Sequence, residues 1–172
     1  MSKLSINDFV NKFFMHANLV AERTGVPALV TLTQAALESG WGAKAHKYNF
    51  FGLTAGANYT GKKQLLQTVE YHKDDKQTYP EIISITYQTS GAKKGYYRYV
   101  VKRYFRAYDS PADAFLDYAR VLSESSRYQN AFKHTNNPEK FLKEVANAGY
   151  ATHADYYNLA LQVMNSIKRR VA

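Results

Sequence analysis

Between Pro27 and Ser39 the chain offers almost no polar face. Leu29, Val30, Leu32, Thr33, Ala36 and Leu37 place apolar groups nearly all round a helical wheel. A helix of that kind is stable only when other elements enclose it, so the rest of the chain must supply a shell. Pro27 suits the first helical position and Gly40 stops the helix. The 172 residues are long enough for one domain with a real core.

The shell is legible on both sides. Upstream, Ser5 and Asp8 read as an N-cap and its N3 acid. Ile6, Phe9, Val10, Phe13 and Ala17 follow at helical spacing, and Gly25 ends the helix. Downstream, "SPADAFLDYARVL" has Ser110 as N-cap and Pro111 at N1. "NPEKFLKEVANAG" has Asn137 as cap, Pro138 at N1 and Gly149 as stop. "THADYYNLALQVMNSIKRR" has Thr152 as cap, Asp155 at N3 and a core stripe of Leu159, Val163 and Ile167. Lys168, Arg169 and Arg170 suit the negative end of its dipole.

The middle of the chain changes character. "QLLQTVEYH", "EIISITYQT" and "YYRYVVKRYF" are rich in β-branched and aromatic residues, with turn chemistry in "KDDKQTYP" and "SGAKKG". They predict a small antiparallel three-stranded sheet. The fold class is therefore α+β, mainly α: one domain over 1–172, with a β-lobe at about 59–106 inserted between helical parts.

Charge narrows the partners. The chain carries a net charge of +9, and ten Lys/Arg against four Asp/Glu between Gly61 and Arg106 place +6 of it in the strand segment. A nucleic acid, an anionic lipid surface or an acidic cell-wall polymer would each answer that field, and solubility alone is the plainer reading. No cysteine is present, which excludes disulfides and thiolate metal sites. The five histidines show no metal-ligand spacing, and no P-loop, dinucleotide or nucleophile-elbow motif occurs, so no metal and no cofactor is expected. No apolar run is long enough to cross a membrane. The N-terminus lacks the features of a secretory signal.

The enclosed helix ends on Glu38, followed by Ser39, Gly40, Trp41 and Gly42. A carboxylate there opposes the helix dipole, and burial disfavours its charge. Both effects keep it protonated, as a general acid must be. The alternative is a surface glutamate that merely ends the helix. Trp41, the one tryptophan, is either a core residue or a sugar-stacking platform. A glycosidase generally needs a second carboxylate. Glu70 on a predicted strand, Asp74 and Asp75 in a turn, and Glu81 at a strand start are the candidates. Tyr150, just after the Gly149 stop, either meets a ligand or is a core tyrosine.

Three ordered blocks, "TLTQAALESGWGAKAHKYNFFGLTA", "FRAYDSPADAFLDYARVL" and "NAGYATHADYYNLAL", resemble glycoside hydrolase family 73, the glucosaminidases. The resemblance runs from near Asp8 to the end. It implies a lysozyme-like helical domain whose small antiparallel β-lobe forms a substrate cleft for bacterial peptidoglycan glycan strands. It implies an endo-β-N-acetylglucosaminidase, with Glu38 as catalytic acid, Glu70 of Thr68-Val69-Glu70-Tyr71 as the second carboxylate and Tyr150 as the active-site tyrosine. Ser39, Trp41, Gly42, Asn49, Phe51, Gly52 and Tyr156 fall on its substrate-binding segments. Thr152-His153-Ala154 departs from the family's T-D-P, and the β-lobe is longer and richer in tyrosine than usual.

The expected protein is thus a wall-lysing enzyme acting in the periplasm or outside the cell. No nucleic acid partner, no membrane insertion and a monomeric state are expected. A phage endolysin released by a separate pore fits a chain with no export signal. A muramidase or lytic transglycosylase on the same scaffold, or a non-catalytic wall-binding module, are the rivals.

Overall fold

The caps set the helices. In the computed structural model, which describes residues 1–151 and 155–171, the Ser5 hydroxyl accepts from the Asp8 N–H at 3.1 Å and opens α1, Ile6–Thr24. Gly25 closes it at φ +77°, its N–H on the Ala21 carbonyl. Helix α2 spans Ala28–Ser39, so Pro27 is the N-cap residue rather than the first helical one. Ser110 caps α3, Pro111–Glu124, and Asn137 caps α4, Pro138–Asn147, each with proline at N1. Each such cap contributes about 1 kcal/mol. Helix α5 is Tyr156–Val171, with Lys168, Arg169 and Arg170 in its last turn. Asp155 therefore precedes the helix. The cap expected at Thr152 lies outside the described residues, as do His153 and Ala154.

Backbone contacts divide the chain into two compact units, Met1–Gly52 with Tyr108–Ala172, and Leu53–Ala107. The architecture is α+β and mainly α. In the helical unit α2 is the enclosed element, packed against α1, α4 and α5. Val30, Thr31, Leu32, Thr33, Gln34, Ala35, Ala36 and Ser39 are all buried. Phe9, Phe13, Phe50 and Phe115 form a mutual cluster with centroids 4.8–6.4 Å apart, mostly edge to face, the geometry that aromatic quadrupoles favour.

The stripe of α5 differs from the expected one. Tyr156, Ala160, Met164 and Ile167 are buried, whereas Leu159 is 38% exposed. The buried face is rotated toward Tyr156, whose hydroxyl meets a buried polar partner on α2. The small Ala160 leaves room for close approach to that helix.

The second unit is a three-stranded antiparallel sheet: β1 Lys63–His72, β2 Glu81–Tyr87 and β3 Tyr97–Arg106, in the order β1-β3-β2. The register pairs Leu65 with Tyr104, Val69 with Val100 and Glu70 with Tyr99. Tyr99 and Val101 of the central strand are fully buried. The edge strand β2 is exposed along its whole length and carries a bulge between Ile82 and Ser84. The first and last residues of the unit are tied together. Arg106 N–H donates to the Leu53 carbonyl at 2.9 Å, Ala55 N–H to Tyr104 at 2.9 Å, and Ala107 N–H to Lys62 at 2.8 Å.

Candidate active site

Glu38 sits in the last turn of α2, half-buried. A glycine turn fixes its position. Gly40 is left-handed at φ +57°, and Trp41 N–H returns to the Ala36 carbonyl at 2.8 Å. The Ser39 hydroxyl donates to the Ala35 carbonyl at 2.5 Å and accepts from Gly42 N–H at 2.8 Å, so it holds the turn together. Gly42 is buried at φ +89°, and a Cβ there would lie 3.2 Å from Met1 Sδ. The positive φ favours glycine at this position. Trp41, itself left-handed at φ +58°, sets its ring edge-on to Phe9 at 5.5 Å, half in the core.

Below the carboxyl runs a chain of polar groups. The Tyr118 hydroxyl of α3 donates to Gln34 Oε1. Gln34 Nε2, one turn before Glu38, donates to the Tyr156 hydroxyl at 2.9 Å. Tyr156 in turn donates to the Glu38 carboxyl. Three helices thus aim one acid. Glu38 Oε1 is buried with no hydrogen-bond partner among the described residues, as is the Tyr150 hydroxyl. A buried polar atom left unpaired costs about 1–3 kcal/mol, and these two lie within electrostatic reach of each other.

The electrostatics follow from burial. Desolvation raises the Glu38 pKa above its ordinary value of 4.5, and the Tyr156 hydrogen bond partly offsets the rise. The hydroxyls of Tyr118, Tyr150 and Tyr156 are pushed well up, by burial first and then by one another and by Glu38. All three therefore stay protonated. Tyr150 stands among Tyr118, Tyr128 and Tyr156, with centroids 6.0–6.4 Å away.

The segment after the turn is strained and then packs inward. Lys47 and Tyr48 take left-handed conformations at φ +43° and +57°, a cost of about 1–2 kcal/mol per residue for non-glycine side chains. Asn49 is buried. Phe51 is buried too, its ring stacked on Tyr118 at 3.9 Å and 9°. Gly52 is exposed at φ +62° with open space before it.

In the sheet unit, Glu70 of β1 accepts from Arg103 Nη1 at 3.0 Å, both side chains partly exposed. The Arg103 guanidinium lies over the Tyr79 ring at 5.9 Å, and the Tyr79 hydroxyl meets His72 Nε2 at 2.6 Å. Asp74 is turn chemistry, accepting from Lys76 N–H and Gln77 Nε2, each at 3.0 Å, and those bonds lower its pKa. Glu81 is an edge charge paired with Lys102 at 2.8 Å.

Gln34, Tyr118 and Arg103 did not emerge from the sequence. Gln34 left a signal, a lone amide four residues before Glu38 in an otherwise apolar helix. Tyr118 left none. Among the described residues no three acidic or histidine side chains gather as metal ligands, and no helix is long and apolar enough to cross a membrane.

Comparison with known proteins supplies the family. The glucosaminidase model, described as mannosyl-glycoprotein endo-β-N-acetylglucosaminidase, matches residues 15–169. The peptidoglycan hydrolase FlgJ of Vibrio cholerae is 32% identical over 169 residues, covering 95% of this chain but 44% of that protein. The chain thus spans less than half the length of that relative. Among solved structures, the glycoside hydrolase domain of Salmonella typhimurium FlgJ superposes with a TM-score of 0.72 at 28% identity, covering 98% of this chain and 91% of that one. A peptidoglycan hydrolase mutant from Sphingomonas sp. A1 superposes with a TM-score of 0.73 at 31% identity, covering 96% and 97%. With nine-tenths of its length matched, and with a shielded acid at the end of its enclosed helix, the chain belongs to the glucosaminidase family, glycoside hydrolase family 73.

Proposed function

We propose that the chain hydrolyses peptidoglycan as an endo-β-N-acetylglucosaminidase, cleaving the β-1,4 bond between N-acetylglucosamine and N-acetylmuramic acid. The observation that carries this reading is the divided state of Glu38. Tyr156 interacts with the carboxyl, Oε1 is buried with no hydrogen-bond partner among the described residues, and burial raises the pKa. That is a proton held for a leaving oxygen. Tyr150, with a protonated and unpartnered hydroxyl, is the donor that positions the N-acetyl-sugar. Glu70 activates water or stabilises the oxocarbenium-like transition state. Its ion pair with Arg103 fixes the carboxylate's direction. Trp41, Asn49, Gly52 and the backbone of the Ser39–Gly42 turn complete the sugar-binding surface. Ser39, Gly42 and Phe51 act there by shaping the turn and its support. The enzyme works on the wall as a monomer, without membrane insertion, and its basic sheet unit steers it to an anionic polymer.

The experiment is digestion of purified sacculi followed by mass spectrometry of the released muropeptides. Reducing-end N-acetylglucosamine is expected from the intact protein, and no release from Glu38→Gln. Reducing-end muramic acid, or an anhydro-muramic end, overturns the bond assignment. Lysis by Glu38→Gln above a few per cent overturns the acid.

A further inference from the structure

The sheet unit has two faces, and the proposed chemistry uses one of them. Glu70, His72, Tyr99 and Arg103 share a face, as their register and their contacts require. The opposite face is built from Lys63, Leu65, Val69 and Tyr71 of β1 with Arg98, Lys102 and Tyr104 of β3. Among the described residues it is largely exposed. Leu65 is 41% exposed, Val69 39%, Tyr71 36% and Tyr104 44%.

This face is cationic as well as apolar. Lys63 lies over the Tyr104 ring at 5.7 Å, and Lys93, from the turn between β2 and β3, lies over Tyr71 at 5.4 Å. Arg98 stands directly across from Tyr71 in the register. The acid in this cross-strand set, Glu81, is already neutralised by Lys102 at 2.8 Å. Lys63 and Arg98 thus stand on the face away from Glu70, and Lys93 reaches it from the turn.

We infer that this reverse face is a second binding surface, an exosite for the carboxylate-bearing stem peptides of the wall polymer. The identity of that polymer rests on the wall-hydrolase reading. Charge selects the occupant. A second copy of the chain would bring Lys63, Lys93 and Arg98 against their own equivalents, which repel. An anionic polymer answers the field, and rows of exposed charge give it many weak contacts at once. A carboxylate needs only the exposed cations, whereas a single-stranded nucleic acid would also need its bases stacked on the rings. Here one face of Tyr71 and one of Tyr104 are each capped by an ammonium group. A carboxylate meets that same ammonium group without displacing it.

The test uses the full chain in a Glu38→Gln background, so that wall is bound but not consumed. Co-sedimentation with intact sacculi is compared with sacculi stripped of stem peptides by an amidase. The triple variant Lys63→Gln, Lys93→Gln, Arg98→Gln is expected to bind intact sacculi about tenfold more weakly, from three exposed charge contacts. It is expected to bind stripped glycan as the parent does. In the active background it should hydrolyse a short peptide-free oligosaccharide at the parent rate. A Lys63→Arg, Lys93→Arg variant should retain binding, which separates charge from folding. Unchanged retention on intact sacculi overturns the exosite, as does an equal loss on stripped glycan. Loss of binding to an oligonucleotide with sacculus binding intact reassigns the face to nucleic acid and overturns it too. Should the parent bind sacculi through this face yet release no muropeptides, the hydrolase reading fails and the exosite stands.

Discussion

Replacing Tyr156 with phenylalanine removes the hydroxyl that anchors Glu38 and leaves the ring in place. In the intact protein that hydroxyl donates to the carboxyl and lowers its pKa against the rise from burial. Without it, the charged form of Glu38 loses that donor. A hydrogen bond to a charged group is worth about 1.5–3 kcal/mol. That is the ceiling on the loss, and since Glu38 is only half-buried, water recovers part of it. The Glu38 pKa is expected to move further up, because the donor that lowers it is gone. On the proposed reading catalysis requires the protonated acid, so the alkaline limb of kcat/KM against pH moves up with it. The assay is sacculus turbidity loss across pH. The same substitution strips Gln34 Nε2 of its 2.9 Å acceptor, a cost of about 1–3 kcal/mol in stability, and the profile should be taken below the lowered Tm. An alkaline limb that stays put or moves down refutes the claim that Tyr156 acts on Glu38 through this bond.

Three further outcomes follow from the geometry. For Glu38 the folded-state pKa lies above the ordinary 4.5, so the folded chain holds that proton more tightly than the unfolded one. Stability falls as pH rises from 4.5 through the raised value; Tm of Glu38→Gln minus that of the parent should be near zero at acid pH and grow positive above it, and a difference that is flat with pH contradicts the shift. Glu70→Gln should lower turnover by about a hundredfold or more with little change in Tm, and a loss below tenfold transfers the second role to the substrate's own N-acetyl group. Phe51→Ala removes a ring stacked on Tyr118 at 3.9 Å and should cost about 3–5 kcal/mol in denaturant unfolding; a cost under 1 kcal/mol would mean that the ring is not held in the core.

What could be read before the structure was local. Ser5, Ser110 and Asn137 carry their caps in the sequence, and Gly25 and Gly40 their stops, because each acts on backbone groups three or four residues away. Glu38 was legible for the same reason: a carboxylate closing an apolar helix contradicts its surroundings. The stripe of α5 was read in part: Ile167 is buried, but Leu159 is exposed, and Tyr156 is drawn inward by Gln34, 122 residues earlier. Tyr118 was illegible on the same ground. Its partner is the same amide, 84 residues away, and only the packed helices bring the two together. Pattern reveals which residues want burial; it does not reveal which buried polar atoms find each other.

The segments with which the sheet unit begins and ends are bonded to one another, Leu53 to Arg106 and Lys62 to Ala107. A segment closed in this way behaves like a cassette. Its own backbone bears the entropy of joining its ends, so its interior can lengthen, shorten or be exchanged without opening the phenylalanine cluster of the helices. On the proposed reading, the sheet segment can then be changed while Glu38 stays fixed in its helix. A chimera with a foreign segment between Gly52 and Tyr108 should keep the helices' fold and take its taste for a wall from the donor.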